Sequence, residues 1–299
     1  MATFALVTGV AAPVLAPPAL AAPGLTQHIS TQHISTEHIS TQHGPAQSYA
    51  APHVHGRAVY LWDATTGQDL LDKNAAERMP VASLTKMMTA YIILREANLD
   101  DEVKIKREDL EYAWNNDGTT ADLEAGDTLP VRELLYALLL PSGADAAHAL
   151  ARVYGPGVKG FVDKMNATAR ELGLKDTLYV NADGLPTSHG DGHSTARDQA
   201  RLAEIALRNP IFTKITSTSH HSTEDGRYDW YNTNHMLGLP GAIGVKTGST
   251  NAAGFCLAFA ADRDGHRLIG IILGEDVASR RWNTAERLLD WASESESER

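Results

Sequence analysis

The 299-residue chain has one cysteine, Cys256, which excludes an intramolecular disulfide and any multi-cysteine metal site. It is also short of cations: 26 Lys and Arg stand against 37 Asp and Glu, for a net charge of −11. That balance argues against a nucleic-acid partner, because neutralising phosphates takes clustered Lys and Arg. No run approaches the ~20 consecutive apolar residues of a membrane-spanning helix. There is no G-x-G-x-x-G loop and no G-x-x-x-x-G-K-[ST] loop, so nucleotide binding has no support. What is present is ordinary for a globular protein, with 43% hydrophobic and 21% charged residues. Those values exclude a collagen-like, coiled-coil or wholly disordered chain. The length suits one large domain or two small ones.

Residues 1–22 carry no charged side chain and end near Ala19-Leu20-Ala21, the small-x-small form of a signal-peptidase site. A signal peptide over 1–22 is therefore expected, although no Lys or Arg precedes Arg57. Residues 26–43 repeat a five-residue unit, Thr26-Gln27-His28-Ile29-Ser30 being the first copy. A histidine at every fifth position of a flexible tract fixes no metal geometry, so 23–56 reads as a His/Ser/Thr-rich disordered spacer.

From Arg57 the composition changes. Residues 58–62 and 68–73 read as a hairpin around Ala64-Thr65-Thr66-Gly67. Residues 83–97 form a strong helical pattern, and 130–153 hold two helices broken at Pro141-Ser142-Gly143. Further helices are expected over 160–172, 195–208 and 277–291, and antiparallel strands over 241–247, 255–261 and 267–273. Strands, a long helical middle, then strands and a helix indicate an α+β fold, in which the terminal elements share one sheet. Residues 57–292 form this domain, and 293–299 read as a disordered Ser/Glu tail.

Three short motifs carry the chemistry. Ser83-Leu84-Thr85-Lys86 opens the best helix, where i and i+3 share a face, so hydroxyl and amine can meet. A serine becomes nucleophilic when a base takes its proton. A lysine can be that base if burial or a second cation lowers its pKa. The plain alternative is a helix N-cap followed by a solvated lysine. Ser142-Gly143-Ala144 lies at the helix break, where Ser142 either relays protons or forms a capping box with Asp145. Lys246-Thr247-Gly248-Ser249 ends a strand. Lys246 would hold a substrate carboxylate and depress the Lys86 pKa, Thr247 would hydrogen-bond that carboxylate, and Gly248 would let a substrate backbone approach. The alternative is an edge lysine followed by a loop.

Together, over residues 57–291, these motifs resemble the set of the serine D-alanyl-D-alanine carboxypeptidases, the low-molecular-mass penicillin-binding proteins. Pro80 to Ala90, Leu139 to Gly143, Gly244 to Gly248, Asn181 to Leu185, Ser194 to Asp198 and Asn232-Thr233-Asn234 carry the likeness. It implies an antiparallel sheet flanked by helices with an all-helical lobe. It also implies Ser83 as the acylated nucleophile, Lys86 as its base, Ser142 as a relay, and Lys246 and Thr247 at the terminal carboxylate. The N–H groups of Ser83 and Ser249 would make the oxyanion hole. The implied partners are peptidoglycan stem peptides and β-lactams, with no cofactor and no metal. Many relatives also carry a C-terminal β-domain and an amphipathic membrane anchor; neither is expected here, and the chain reads as an exported enzyme of the extracellular or cell-wall space. The family's second motif usually ends in Asn; here it ends in Ala144, which is expected to affect turnover more than acylation.

Other readings stand beside this one. A transpeptidase would use an amine as acceptor. A class A-like β-lactamase would need a deacylating Glu, and Glu171 lacks the expected Asn three residues on. A penicillin-fold binding module that has lost turnover is the non-enzymatic reading. His148 and Cys256 read as packing residues, His220-His221 lacks partners at metal-ligand spacing, and Asp183, Arg197 and Asp198 read as loop architecture.

Overall fold

The computed structural model describes residues 50–188 and 190–297; the expected leader and the pentapeptide repeats lie outside them. In chain order the elements are β1 (Ala58–Asp63), β2 (Gln68–Lys73), a 3-10 turn (Ala82–Thr85), α1 (Lys86–Glu96), β3 (Glu102–Lys104), α2 (Arg107–Asn115) and β4 (Thr128–Pro130). Then come α3 (Val131–Leu139), α4 (Ala144–Tyr154), α5 (Gly157–Glu171), α6 (Ala196–Leu207), α7 (Pro210–Thr216), β5 (His220–Ser222) and β6 (Asp229–Tyr231). A second 3-10 turn (His235–Gly238), β7 (Ala242–Thr250), β8 (Gly254–Arg263), β9 (His266–Glu275) and α8 (Arg280–Ser297) complete the chain.

One five-stranded antiparallel sheet runs in the order β2-β1-β9-β8-β7. The first hairpin meets the last strands through pairs such as Tyr60 with Ile271 and Trp62 with Ile269, so the terminal elements share a sheet. Alternation along the strands feeds two cores. Val59, Leu61, Leu257, Phe259 and Ile272 pack with Ala285, Leu288 and Leu289 of α8 on one face. Tyr60, Ala258, Ala260 and Ile271 face the helical side, where α1 buries Met87, Met88, Ala90, Ile92 and Ile93 almost completely. This largely buried helix forms the pillar of the domain; Lys86 opens it, and Ser83 lies in the 3-10 turn just before it.

The structure departs from the sequence reading at several places. The predicted helix over 83–97 is a 3-10 turn followed by α1. The end of the expected spacer packs on the domain: Val54 is buried in the α8 core, and the Lys73 ammonium donates to the Val54 and Gly56 carbonyls at 2.9 and 2.7 Å. Helix α8 begins at Arg280 and continues to Ser297, into the expected tail. Helices α2 and α7 and the three-residue strands β3 to β6 were not anticipated. Helix α2 buries only Asp109 and Ala113, too little for a visible apolar stripe. Helix α7 was marked by Asn209-Pro210, and the Asn209 side chain does accept the Ile211 N–H at 2.9 Å. Among the described residues no helix is long and apolar enough to cross a membrane.

Leu288 has 0% exposure and ties α8 to the sheet. Leu288→Ala is expected to lower stability by about 2–5 kcal/mol. A urea titration that leaves the midpoint unmoved would remove α8 packing as a support of the sheet.

Candidate active site

Residue Ala82 sits at a φ of 48°, and that turn of the backbone sets Ser83 in the 3-10 segment rather than at the cap of α1. Thr85 occupies the cap position and makes no side-chain cap bond, so the plain N-cap reading does not hold. Nor is Lys86 solvated: it is 1% exposed. Its Nζ lies 3.0 Å from Ser83 Oγ and 3.0 Å from the Asp183 carbonyl. Burial pulls the Lys86 amine down to about 8, while the charges of Asp183 and Asp145 work against that. Ser83 itself is only partly covered, so its hydroxyl has a covered base on one side and an open face on the other.

The break between α3 and α4 reaches the same cleft through its neighbours. The Leu140 carbonyl accepts from Thr233 N at 3.2 Å and Thr233 Oγ1 at 3.3 Å, and Thr233 Oγ1 lies 2.6 Å from Thr247 Oγ1. Ser142 holds a φ of 72°, and its buried Oγ has no hydrogen-bond partner among the described residues. The capping box with Asp145 does not form. The Asp145 carboxylate instead accepts the N–H groups of Ala121 and Leu123, pinning that loop beside the cleft. Ala144 is fully buried, and a Cβ placed on Gly118 would come within 2.9 Å of its methyl.

Strand β7 brings the third motif alongside. Lys246 is 1% exposed and donates to its neighbour's carbonyl, Thr247 O, at 3.0 Å. Burial holds it well below an ordinary lysine, and the charges of Lys86 and Arg281 push the same way. Burial is the largest cause at both amines, and the nearness of Lys86 works in the same direction as burial at Lys246. Gly248 also has a packing role within the fold. A Cβ there would lie 2.9 Å from Ser83 N and 3.2 Å from Ala82 Cβ, so the missing side chain lets the strand close on the serine turn. Ser249, next along the strand, is exposed.

Sequence reasoning missed three participants. The Asp183 backbone carbonyl is one, read only as loop architecture. Thr233 is another; its segment was noted for likeness but given no task. The third is Arg281, whose Nη1 donates to the Gly248 and Cys256 carbonyls at 3.2 Å each and whose guanidinium lies over Phe255 and Trp282. Only the docking of α8 against β8 and β9 puts it there, and no local pattern announces it. His220 is paired with Asp229 and His221 with Glu133, and among the described residues no group of three or more metal-ligating side chains is assembled. His148 bonds to Asp109 at 2.7 Å and stacks on Tyr112, and Cys256 is buried in the sheet, both as expected of packing residues.

The sequence profile described as D-alanyl-D-alanine carboxypeptidase, peptidase S11, matches residues 45–277. The chain belongs to that family. A D-alanyl-D-alanine carboxypeptidase of Streptomyces sp. strain K15 is 37% identical over 264 residues, covering 83% of this chain and 90% of the relative. The carboxypeptidase DacF of Bacillus subtilis is 35% identical over 245 residues, and the match takes in 61% of that longer protein. The crystal structure of the Streptomyces K15 DD-transpeptidase superposes with a TM-score of 0.76 at 36% identity, covering 81% of this chain and 98% of that one. The α+β fold of the family, an antiparallel sheet with a helical lobe, is the fold seen here.

In this family member, Gly248→Ala is expected to force β7 and the serine turn apart, because the new methyl meets backbone rather than a movable side chain. Acylation of Ser83 by a penicillin should fall by more than ~10-fold, a misplacement effect on positioned groups. Wild-type acylation in that variant would show that the close approach has no role.

Proposed function

We propose that Ser83 is the nucleophile of this serine acyl-transfer peptidase, which removes the terminal D-Ala from D-Ala–D-Ala stem peptides of peptidoglycan. The contact of 3.0 Å between Ser83 Oγ and the buried Lys86 Nζ carries the reading. With its pKa near 8, roughly a tenth of Lys86 is unprotonated at pH 7, enough to serve as a general base. Lys86 takes the Ser83 proton as the oxygen attacks the carbonyl carbon of the penultimate residue. The C–N bond then breaks, and the leaving D-Ala amine receives a proton by way of Ser142, whose Oγ has no other claim on it among the described residues. Water hydrolyses the ester and frees Ser83.

The substrate's terminal carboxylate falls to Lys246 and Thr247. A carboxylate there would restore the charge that burial withholds from Lys246 and would accept from Thr247, which Thr233 orients. The N–H groups of Ser83 and Ser249 would stabilise the oxyanion, each worth about 3–4 kcal/mol in comparable sites. Strand β7 is at the sheet edge, so an extended peptide can lie along it. A β-lactam presents a carboxylate and an activated amide to the same groups and would leave a covalent adduct on Ser83. The uncharged residues 1–22 and the small residues at 19–21 support export, with the 57–292 domain working outside the cell and the spacer joining the two.

Incubation with a penicillin followed by intact-mass analysis and adduct mapping is expected to place a long-lived adduct on Ser83. Rapid release of hydrolysed penicillin would support the β-lactamase reading, and no adduct would support the inert module. Lys86→Ala is expected to slow acylation at least ~100-fold. In the wild type the acylation rate should climb about tenfold per pH unit below pH 8 and level off above it, because falling pH protonates the base. A flat profile between pH 6 and 9 would remove Lys86 from that role.

A further inference from the structure

Helix α2 buries little apolar surface, yet a dense polar network fixes it. Asp109 and Tyr112, three positions apart, share the face that the helix turns to α4. The buried Asp109 carboxylate accepts the Lys106 N–H at 2.8 Å and the Arg152 guanidinium at 3.0 and 2.7 Å, and it lies 2.7 Å from His148 Nδ1. The His148 ring in turn stacks on Tyr112, with the centroids 4.5 Å apart. What this arrangement aims is the Tyr112 hydroxyl, which is hydrogen-bonded to the carboxylate of Asp183. Burial and the Asp183 charge push the phenol above its ordinary range, so it keeps its proton and serves as a donor.

Asp183 is the residue whose carbonyl lies 3.0 Å from the Lys86 amine. The backbone of its loop is fixed from both sides: Thr89 Oγ1 of α1 donates to the Ala182 carbonyl at 2.6 Å, and Asn181 Oδ1 accepts the Gly184 N–H at 2.7 Å. The carboxylate itself takes one backbone donor, the Leu185 N–H at 2.9 Å, and beyond it Tyr112. The other charged groups that bear on Lys86 are Asp145 of α4 and Lys246 of β7. Asp145 is committed to backbone, since its oxygens accept the N–H groups of Ala121, Leu123 and Ala146. Of the two carboxylates that act on the base, Asp183 is therefore the one whose placement rests on a side chain from another element. A carboxylate turned onto a buried ammonium holds the proton there.

We propose that Tyr112 is a positioning residue for the acyl transfer: its hydroxyl holds the Asp183 carboxylate toward α2 and off Lys86, so that the amine meets the carbonyl of that residue and not its charge. The inference rests on the proposed role of Lys86 as base. Tyr112 touches neither substrate nor the reacting atoms; it acts through Asp183, and α4 holds it in place through His148.

The test follows penicillin acylation of Ser83 in the full chain from pH 7 to 10. Tyr112→Phe keeps the ring that stacks on His148 and removes the donor. The midpoint of its profile is expected to lie about one pH unit above that of the wild type, with the high-pH plateau within about twofold of the wild-type plateau. At pH 7 the variant should acylate ~10-fold more slowly, because a raised midpoint leaves a tenth as much of the amine unprotonated. Adding Asp183→Asn to Tyr112→Phe removes the charge and should bring the midpoint back to the wild-type value or below it. A wild-type midpoint in Tyr112→Phe would overturn the proposal. So would a rate lowered equally at every pH, the mark of a merely structural role, or a raised midpoint that Asp183→Asn leaves in place. A flat profile in the wild type itself would instead remove Lys86 as the base, a failure of the proposed function that is read before any variant is made.

Discussion

A lysine amine shut away from water, with no carboxylate touching it, is the constraint on which the rest of this structure depends. Taking an ammonium out of water costs several kcal/mol unless it is paired. Lys86 has as its two partners a hydroxyl and a backbone carbonyl, neither of which carries a charge to hold the proton in place. The Asp183 carboxylate is close enough to raise the amine's pKa, yet its Oδ1 is committed to the Leu185 N–H at 2.9 Å, and it is the Asp183 carbonyl that faces Lys86. Had the carboxylate been turned in, the pair would have been a salt bridge and the amine would have stayed protonated. The orientation of one loop residue thus separates a lowered amine from a structural ion pair.

Holding that balance takes rigidity, and the fold concentrates unusual backbone where it is needed. Ala82 and Ser142 both hold positive φ without being glycine, a conformation that costs of order 1–3 kcal/mol each. Gly184 has a φ of +84°, and a Cβ there would come within 1.9 Å of the Ala82 carbonyl, so the Asp183 loop and the serine turn are locked face to face. Behind them the first two turns of α1 are buried, and Arg281 links the backbone of β7 and β8 to α8. The strain is sustained because sheet, lobe and α8 all press on the same few residues.

Where the chemistry is local, the sequence showed it. Ser83 and Lys86 are three residues apart, and Lys246 to Ser249 are consecutive, so both motifs could be read directly. The sheet was legible for a similar reason: β7, β8 and β9 are long enough to carry an alternating pattern. What stayed hidden depends on contacts between distant segments. The Asp183 carbonyl is 97 residues from Lys86, and Arg281 is 33 from Gly248. A backbone carbonyl leaves no mark in a sequence whatever residue bears it. The packing of Gly248 against the Ser83 backbone stayed hidden for the same reason. Short polar elements such as α2 bury too little to be seen at all.

Under the proposed function, Ala144 shifts the weight of substrate recognition within the cleft. Where the family usually has an amide, this chain has a methyl sealed against Gly118, so the helical lobe contributes the Ser142 hydroxyl but no side-chain amide at that position. A peptide held by fewer groups on the lobe side depends more on β7. That strand offers its free edge, with Lys246 and Thr247 midway along it. Contacts far from the scissile bond then have to supply orientation, and orientation governs the acyl-transfer step as strongly as the base does. Substituting the lobe side would therefore change how fast the acyl-enzyme turns over, whereas substituting the strand side would change which peptides reach it.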